Sequence, residues 1–449
     1  MHPPRGPRKI TAIGLRFADV NSADATPGSV IVSRFLRNAL ALVCLLVLAG
    51  CGYFFIYPQL RAAWHWREAH QEIDRGDFHA AAASLRDCLT VWPSSAETHF
   101  LLARTARRAA DLDLARAQLA EARRLNYLGD QLDLEELLLQ AQGGGITKVE
   151  PKLRELLAAG HAEEPLILEA LVRGSLFYNF TKDASRWAGH WTERHPDDWQ
   201  AHYWHGIALD AAAQPESAVE QLQRALQANA DHADARLRLA NLLFRSQRVP
   251  EAREQFHTLL VAEPDSAAAL FGLAQCQRAA GEIDQARATV ERALAREPIA
   301  GALRLRGMLA LDREDPRQAL IYFRRTEALD PNDRLTLKNL AAALRLLSDD
   351  AAAKQYDKRV LQIEKEEMRL DQLTRDAIAK PTDVALRAEA GTLSLHLGRF
   401  EEALHWLAGA LILDHACEPA RKALNECLDT LADPLLRETY RSLLATPPS

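Results

Sequence analysis

Through residues 61–417 the apolar positions gather on one helical face at a time, at spacings of three and four, as in Leu222, Ala225 and Leu226. These stripes come in pairs. The first carries a small residue in its middle, a turn follows, and the second opens on Ala and closes on Leu, often with Asp or Glu and then Pro behind it. The unit recurs about every 34 residues, the scale of a repeated helix pair. Clear copies occupy 62–95, 199–232, 233–266, 267–300, 300–333 and 384–417. The pattern predicts an all-α chain. One such pair buries too little apolar surface alone, so its stability has to come from stacking on its neighbours.

Three ladders run in phase through these units. The small residue of the first helix is Ala69, Ala103, Gly206, Ala240, Ala274, Gly307, Ala341 and Gly391. Gly and Ala lack bulk, so helices can approach closely there. The Ala that opens the second helix is Ala81, Ala115, Ala184, Ala218, Ala252, Ala286, Ala319, Ala353 and Ala403. The closing residue is Pro93, Pro196, Pro264, Pro298 and Pro331, and Pro cannot continue a helix. Together these marks resemble the tetratricopeptide repeat family. The resemblance implies a right-handed superhelical solenoid of stacked helix-turn-helix repeats over residues 61–417, about eight to ten of them at that period.

Some stretches depart from the pattern. Residues 130–164 form a degenerate unit with a loose Gly143-Gly144-Gly145 turn. The triplet precedes Lys148, but the P-loop spacing is missing, so it does not predict nucleotide binding. Residues 165–198 keep Ala184 and Pro196 yet carry the bulky Phe177, Tyr178 and Phe180. Residues 358–380 extend one helix beyond the usual length and alternate charges, as a solvated face does. Residues 418–449 are expected to supply capping helices and a short tail, because a solenoid must shield its last apolar face.

The N-terminal region differs in kind. Residues 1–37 carry Arg5, Arg8, Lys9, Arg16, Arg34 and Arg37 against Asp19 and Asp24, and read as a basic, disordered tail. From Asn38 to Leu60 no charged residue occurs. An apolar helix of about 20 residues spans roughly 30 Å, enough to cross a bilayer. Residues 38–60 are therefore expected to form a single transmembrane helix ahead of the solenoid, with Tyr53, Tyr57, Trp64 and Trp66 near the interface. The excess of positive charge on the tail places the N-terminus in the cytoplasm and the repeats outside it, as in a single-pass protein of a bacterial inner membrane. The abundance of Arg over Lys fits a bacterial source. A second reading occupies the same residues. Leu48-Ala49-Gly50-Cys51 resembles a lipobox, in which the chain is cut and Cys51 takes lipid. The apolar Gly-Tyr-Phe-Phe-Ile-Tyr that follows favours the uncleaved helix.

Composition narrows the function. A net charge of −6 and a pI near 6.2 argue against nucleic acid as a partner. The cysteines are scattered without zinc spacing; Cys88 reads as a core residue, and whether Cys417 pairs with Cys427 is not decided by their separation in sequence. No motif of a known catalytic class occurs, and the chain is expected to be no enzyme and to need no cofactor or metal. His202 and His205, three apart, stand at metal-ligand spacing, but polar positions on an amphipathic helix explain them as well. The remaining site is a surface. In the family the first helices line a concave groove that holds a partner peptide or helix. By that resemblance the inward residues are Arg173, Tyr203, Asn241, Arg245, Gln275, Arg278, Arg304, Lys338 and Arg345. The set is basic and amide-rich, which suits a protein partner presenting an acidic segment or a C-terminal carboxylate. The chain is accordingly expected to act as a membrane-anchored scaffold. The alternative is a lipoprotein component of an envelope assembly, pilus or polysaccharide-export machine.

Overall fold

The computed structural model describes residues 39–40, 42–43, 53, 56–127, 129–431, 437, 440–441 and 443–444. The chain divides into two units, residues 1–65 and 66–449, and helix α1 spans Tyr57–Arg75. The basic tail, most of the apolar run 38–60 and Cys51 lie outside the described residues. Among the described residues no helix is long and apolar enough to cross a membrane.

The second unit consists of paired helices. After α1 come α2 (Phe78–Val91), α3 (Ala96–Arg108), α4 (Leu112–Arg124), α5 (Asp130–Gln140), α6 (Ile146–Ala158), α7 (Glu164–Phe177) and α8 (Thr181–Arg194). The regular middle holds α9 (Trp199–Ala211), α10 (Pro215–Ala228), α11 (Ala233–Arg245), α12 (Val249–Ala262), α13 (Ala267–Ala279), α14 (Ile283–Arg296), α15 (Ala300–Leu311) and α16 (Pro316–Leu329). The chain ends with α17 (Arg334–Leu346), α18 (Asp350–Ala379), α19 (Val384–His396), α20 (Phe400–Leu413) and α21 (Glu418–Thr430). No strand occurs among the described residues.

Local chemistry explains the breaks. Asp77, Ser95, Asp111, Asp198, Asp315, Asp333, Asp349 and Asp383 each cap a helix by accepting from a first-turn backbone N–H. The turn inside each pair needs one left-handed residue. Gly76, Ala110, Gly144, Asn179, Ala213, Gln247, Gly281, Glu314 and Ser348 all have positive φ and follow one another at about 34 residues, the repeat period. Gly144 (φ 97°) is one rung of this ladder. The degenerate unit 130–164 thus keeps its turn, as a π-helical kink over Ala141–Gly145 between α5 and α6.

Packing follows the small-residue ladders. Ala69, Ala103, Gly206, Ala240, Ala274, Gly307, Ala341 and Gly391 are all buried, and so are the nine second-helix alanines. At Gly307 a β-carbon would stand 2.5 Å from the ring of Phe323 on the paired helix, and at Gly391 2.5 Å from Leu407. Only a missing side chain lets those helices approach so closely. Helix α18 continues 30 residues without a turn, burying Val360, Ile363, Leu370 and Leu373 beneath a charged outer face.

The stack also touches itself across distant repeats. Asn229 Nδ2 donates to the carbonyl of Arg75 at 3.0 Å, and the Trp199 ring covers Gly76. Farther on, Phe177 stacks on Tyr440 at 5.3 Å, and one core joins Leu138, Leu171 and Tyr178 to Leu404, Leu411 and Leu424. The bulky residues that break the repeat pattern at 177–180 are the ones that meet the C-terminal helices. Cys88 is buried, which pushes its thiol up to about 11. Cys417 and Cys427 both carry free thiols.

Candidate partner-binding face

First helices of successive repeats touch one another: α7 with α9, α11 with α13, α13 with α15, and α15 with α17. They therefore line the inner side of the curve in this unit. Along this wall the proposed site residues separate into two groups.

The first group is closed in. Arg173 on α7 is held by Glu169 Oε1 at 2.9 Å and the Arg108 carbonyl at 2.8 Å, with its guanidinium 4.8 Å over the Trp204 ring. Burial pulls its pKa down. Burial also pushes the Glu169 carboxyl up, but Arg108, Arg173 and Arg107 outweigh this and hold it below the usual carboxylate range. The network continues inward: Arg107 Nε donates to Glu135 Oε1 at 2.5 Å, Arg104 Nε to Glu135 Oε2 at 3.1 Å, and Arg108 Nε to Glu169 Oε2 at 2.9 Å. Arg108 also bonds Gln200 on α9. The inner face from α3 to α9 is thus filled by its own side chains. Tyr203 is buried as well; its hydroxyl donates to Asp234, which also accepts from Arg238 Nε at 2.8 Å.

The second group lies on an accessible wall from α11 to α17. Asn241 is exposed and Gln275 half-buried. The five cations there all have carboxylate partners. Arg245 bonds both oxygens of Asp210 at 2.7 and 2.8 Å, and Arg278 bonds both of Asp312 at 2.8 and 3.3 Å. Lys338 Nζ lies 2.5 Å from Glu364 Oε1, while Arg304 pairs with Asp333 and Arg345 with Asp357. The wall that is basic in sequence is therefore balanced in space. The signal for this pairing was present in the sequence: Asp210 and Asp312 stand about one 34-residue period from Arg245 and Arg278. An exposed pair such as Arg245–Asp210 contributes only about 0–1 kcal/mol.

The two histidines at metal spacing do not converge. His202 is buried, with Nδ1 2.7 Å from Gln221 Oε1 and Nε2 2.8 Å from the Pro196 carbonyl. His205 Nδ1 instead lies 3.3 Å from Thr192 Oγ1. Among the described residues no group of three or more His, Cys, Asp or Glu side chains is placed to hold a metal ion.

A repeated helix pair with these turns and ladders defines a class. The tetratricopeptide repeat family model matches residues 67–127, 205–256, 237–302 and 277–334, and over these segments the chain consists of tetratricopeptide repeats. Among solved structures, a tetratricopeptide repeat protein from Parabacteroides merdae is similar at 19% identity, covering 64% of this chain and 99% of its own, with a TM-score of 0.34. Yeast Tom70 is similar at 12% identity, covering 85% and 99%, with a TM-score of 0.35. The Pseudomonas aeruginosa protein pilF is similar at 17% identity, covering 51% and 97%, with a TM-score of 0.32. No curated protein matches the chain.

Proposed function

We propose that this chain is a membrane-anchored scaffold that docks a partner polypeptide on the α11–α17 wall, on the extracytoplasmic side of a bacterial inner membrane. The observation that carries the reading is the accessible row Asn241, Arg245, Gln275 and Arg278, set on the most regular repeats and paired only by exposed ion pairs. Arg245 and Arg278 sit on touching helices, and each is turned to an aspartate on its outer flank, Arg245 to Asp210 and Arg278 to Asp312. An acidic segment or a C-terminal carboxylate is the partner chemistry this suits. The scaffold holds its partner and performs no chemistry on it. The uncharged run Asn38–Leu60 supports the anchor, and the basic tail supports the orientation.

Photo-crosslinking in cells tests the docking wall. A photoreactive side chain is placed at position 241 or 275 of the full chain, with a control at the highly exposed Val261 on a second helix. Defined adducts are expected from 241 and 275, not from 261, and they are expected to vanish with Arg245→Glu and Arg278→Glu together. Adducts indifferent to that charge reversal reject the wall as the docking surface. The lipobox-like Leu48-Ala49-Gly50-Cys51 favours a second reading, a lipoprotein within an envelope assembly, pilus or polysaccharide-export machine. Labelled palmitate incorporated at Cys51 selects that reading; an intact N-terminus without label selects the first.

A further inference from the structure

Helix α1 opens with large apolar residues left in the open. Ile56, Tyr57, Leu60 and Trp64 are 59%, 55%, 64% and 58% exposed. Tyr57, Leu60 and Trp64 are spaced three and four apart, so they share one stripe of the helix. Ala62, on the opposite side, is fully buried. The rings of Tyr53 and Tyr57 stack at 5.9 Å and prolong the stripe toward the N-terminus. Beside the stripe, Arg61 Nε donates to His65 at 3.3 Å.

The chemistry of the stripe selects its occupant. A stripe meant for a protein groove would not need to adjoin an uncharged apolar run, yet this one begins inside Asn38–Leu60 and ends where Arg61 and Arg67 appear. Its aromatic members, Tyr57 and Trp64, combine an apolar body with a polar tip. That combination favours the headgroup level of a bilayer over both water and hydrocarbon. Removing apolar surface of this size from water is favourable, and three or four side chains do so together. We infer that Ile56, Tyr57, Leu60 and Trp64 form a lipid-contact stripe that lies in the headgroup zone of the bilayer. The inference rests on the membrane attachment proposed above, though not on its form. The stripe lies beyond Cys51 and is retained whether the apolar run stays as a helix or is cut and lipidated.

Tryptophan quenching tests it. The full chain is reconstituted in phosphatidylcholine vesicles brominated either near the headgroup or deep in the acyl chain. The Trp64 signal is the difference between the unaltered chain and Trp64→Phe. Headgroup-proximal bromines are expected to quench this difference more than deep ones. Adding Leu60→Trp to the Trp64→Phe chain is expected to restore a signal quenched in the same order. If the chain stays with the vesicles through an alkaline wash while bromine at neither depth quenches Trp64, the stripe does not contact lipid and the inference is overturned. If the wash strips the chain from the vesicles, the attachment reading fails and the inference falls with it.

Discussion

The guanidinium of Arg387 donates through Nη1 to the main-chain carbonyl of Tyr178, 2.8 Å away in space and 209 residues away in sequence. Its Nε donates to the Pro381 carbonyl at 2.9 Å, and its plane lies 4.3 Å over Phe180 and 5.5 Å from the centre of the Trp406 ring. A stack in which each repeat meets only its neighbours cannot make this bond, so the bond records the winding of the stack back onto itself. Burial pulls the Arg387 pKa down to about 10, which leaves it a cation at neutral pH. Arg387→Ala strands the Tyr178 carbonyl in apolar surroundings, and a loss of about 2–4 kcal/mol is expected. Urea unfolding reads this as a lower midpoint. Arg387→Lys should fall between the two, because an ammonium cannot stack flat on Phe180. An alanine variant with an unchanged midpoint would show that the contact holds nothing together.

Close approach makes a second prediction. A β-carbon at Gly307 would lie 2.5 Å from one Phe323 ring carbon and 2.7 Å from another. Gly307→Ala should therefore cost about 1–3 kcal/mol by overpacking, although alanine is the better helix former. Phe323→Leu alone also destabilises, by removing buried ring. The two changes together should cost less than the sum of the singles, because the smaller side chain accepts the added methyl. Thermal melts of the four chains check this, and strict additivity would mean that the ring moves aside without strain.

The repeat was legible because its marks are local. Ala218 and Gly206 announce a close helix crossing whatever surrounds them, and both are buried as the ladder requires. The over-long helix at 358–380 was legible for the same reason: no turn residue interrupts it, and α18 runs through. What escaped was everything that depends on winding. Phe177, Tyr178 and Phe180 stood out as departures, but nothing nearby in sequence points to Tyr440 or Arg387 as their partners. The inward set implied by the family reads as basic because it includes Arg245 and Arg278 without their partners. Their aspartates lie on neighbouring repeats and become visible only when charges one period apart are compared. Arg173 was placed on the same wall, and there the bulky Trp204 and the carboxylate of Glu169 close over it.

The pair Arg107–Glu135 supplies a third prediction. Both side chains are essentially without solvent contact, and the two charges meet across α3 and α5. Burial alone would lower the Arg107 pKa, but Glu135 and Glu169 outweigh it and raise the value, so the guanidinium stays ionised. Removing Glu135 takes from Arg107 its hydrogen-bonded carboxylate in the interior, whereas removing Arg107 leaves Glu135 with Arg104 Nε at 3.1 Å. Glu135→Ala should cost about 3–5 kcal/mol, and Arg107→Ala less, because Arg104 still pairs with Glu135. Replacing both together, as Arg107→Met with Glu135→Leu, should cost less than Glu135→Ala, since Arg107 is then not left without its carboxylate and Arg104 keeps Glu163. Denaturant titration of the single and double variants decides the matter. A double variant as unstable as the worse single would mean that Arg104 depends on Glu135 as strongly as Arg107 does.

Titration of His205 gives a prediction for acid. This ring, on α9 against α8, is pulled down to about 4 by burial, with the neighbouring His202 adding to the effect. The unfolded chain takes up the same proton near pH 6.5. Between those values the unfolded form binds a proton that the folded form refuses. Stability is therefore complete above pH 6.5 and is lost as the pH falls toward 4, by an amount on the order of 2 kcal/mol. His205→Gln keeps a polar group beside Thr192 and removes the proton site. Its unfolding free energy should fall less steeply than that of the unaltered chain between pH 6.5 and 4. The carboxylates that also titrate in this range are common to both chains and cancel in the difference. Two parallel curves across that window would mean that the folded protein admits the proton on His205 as readily as water does.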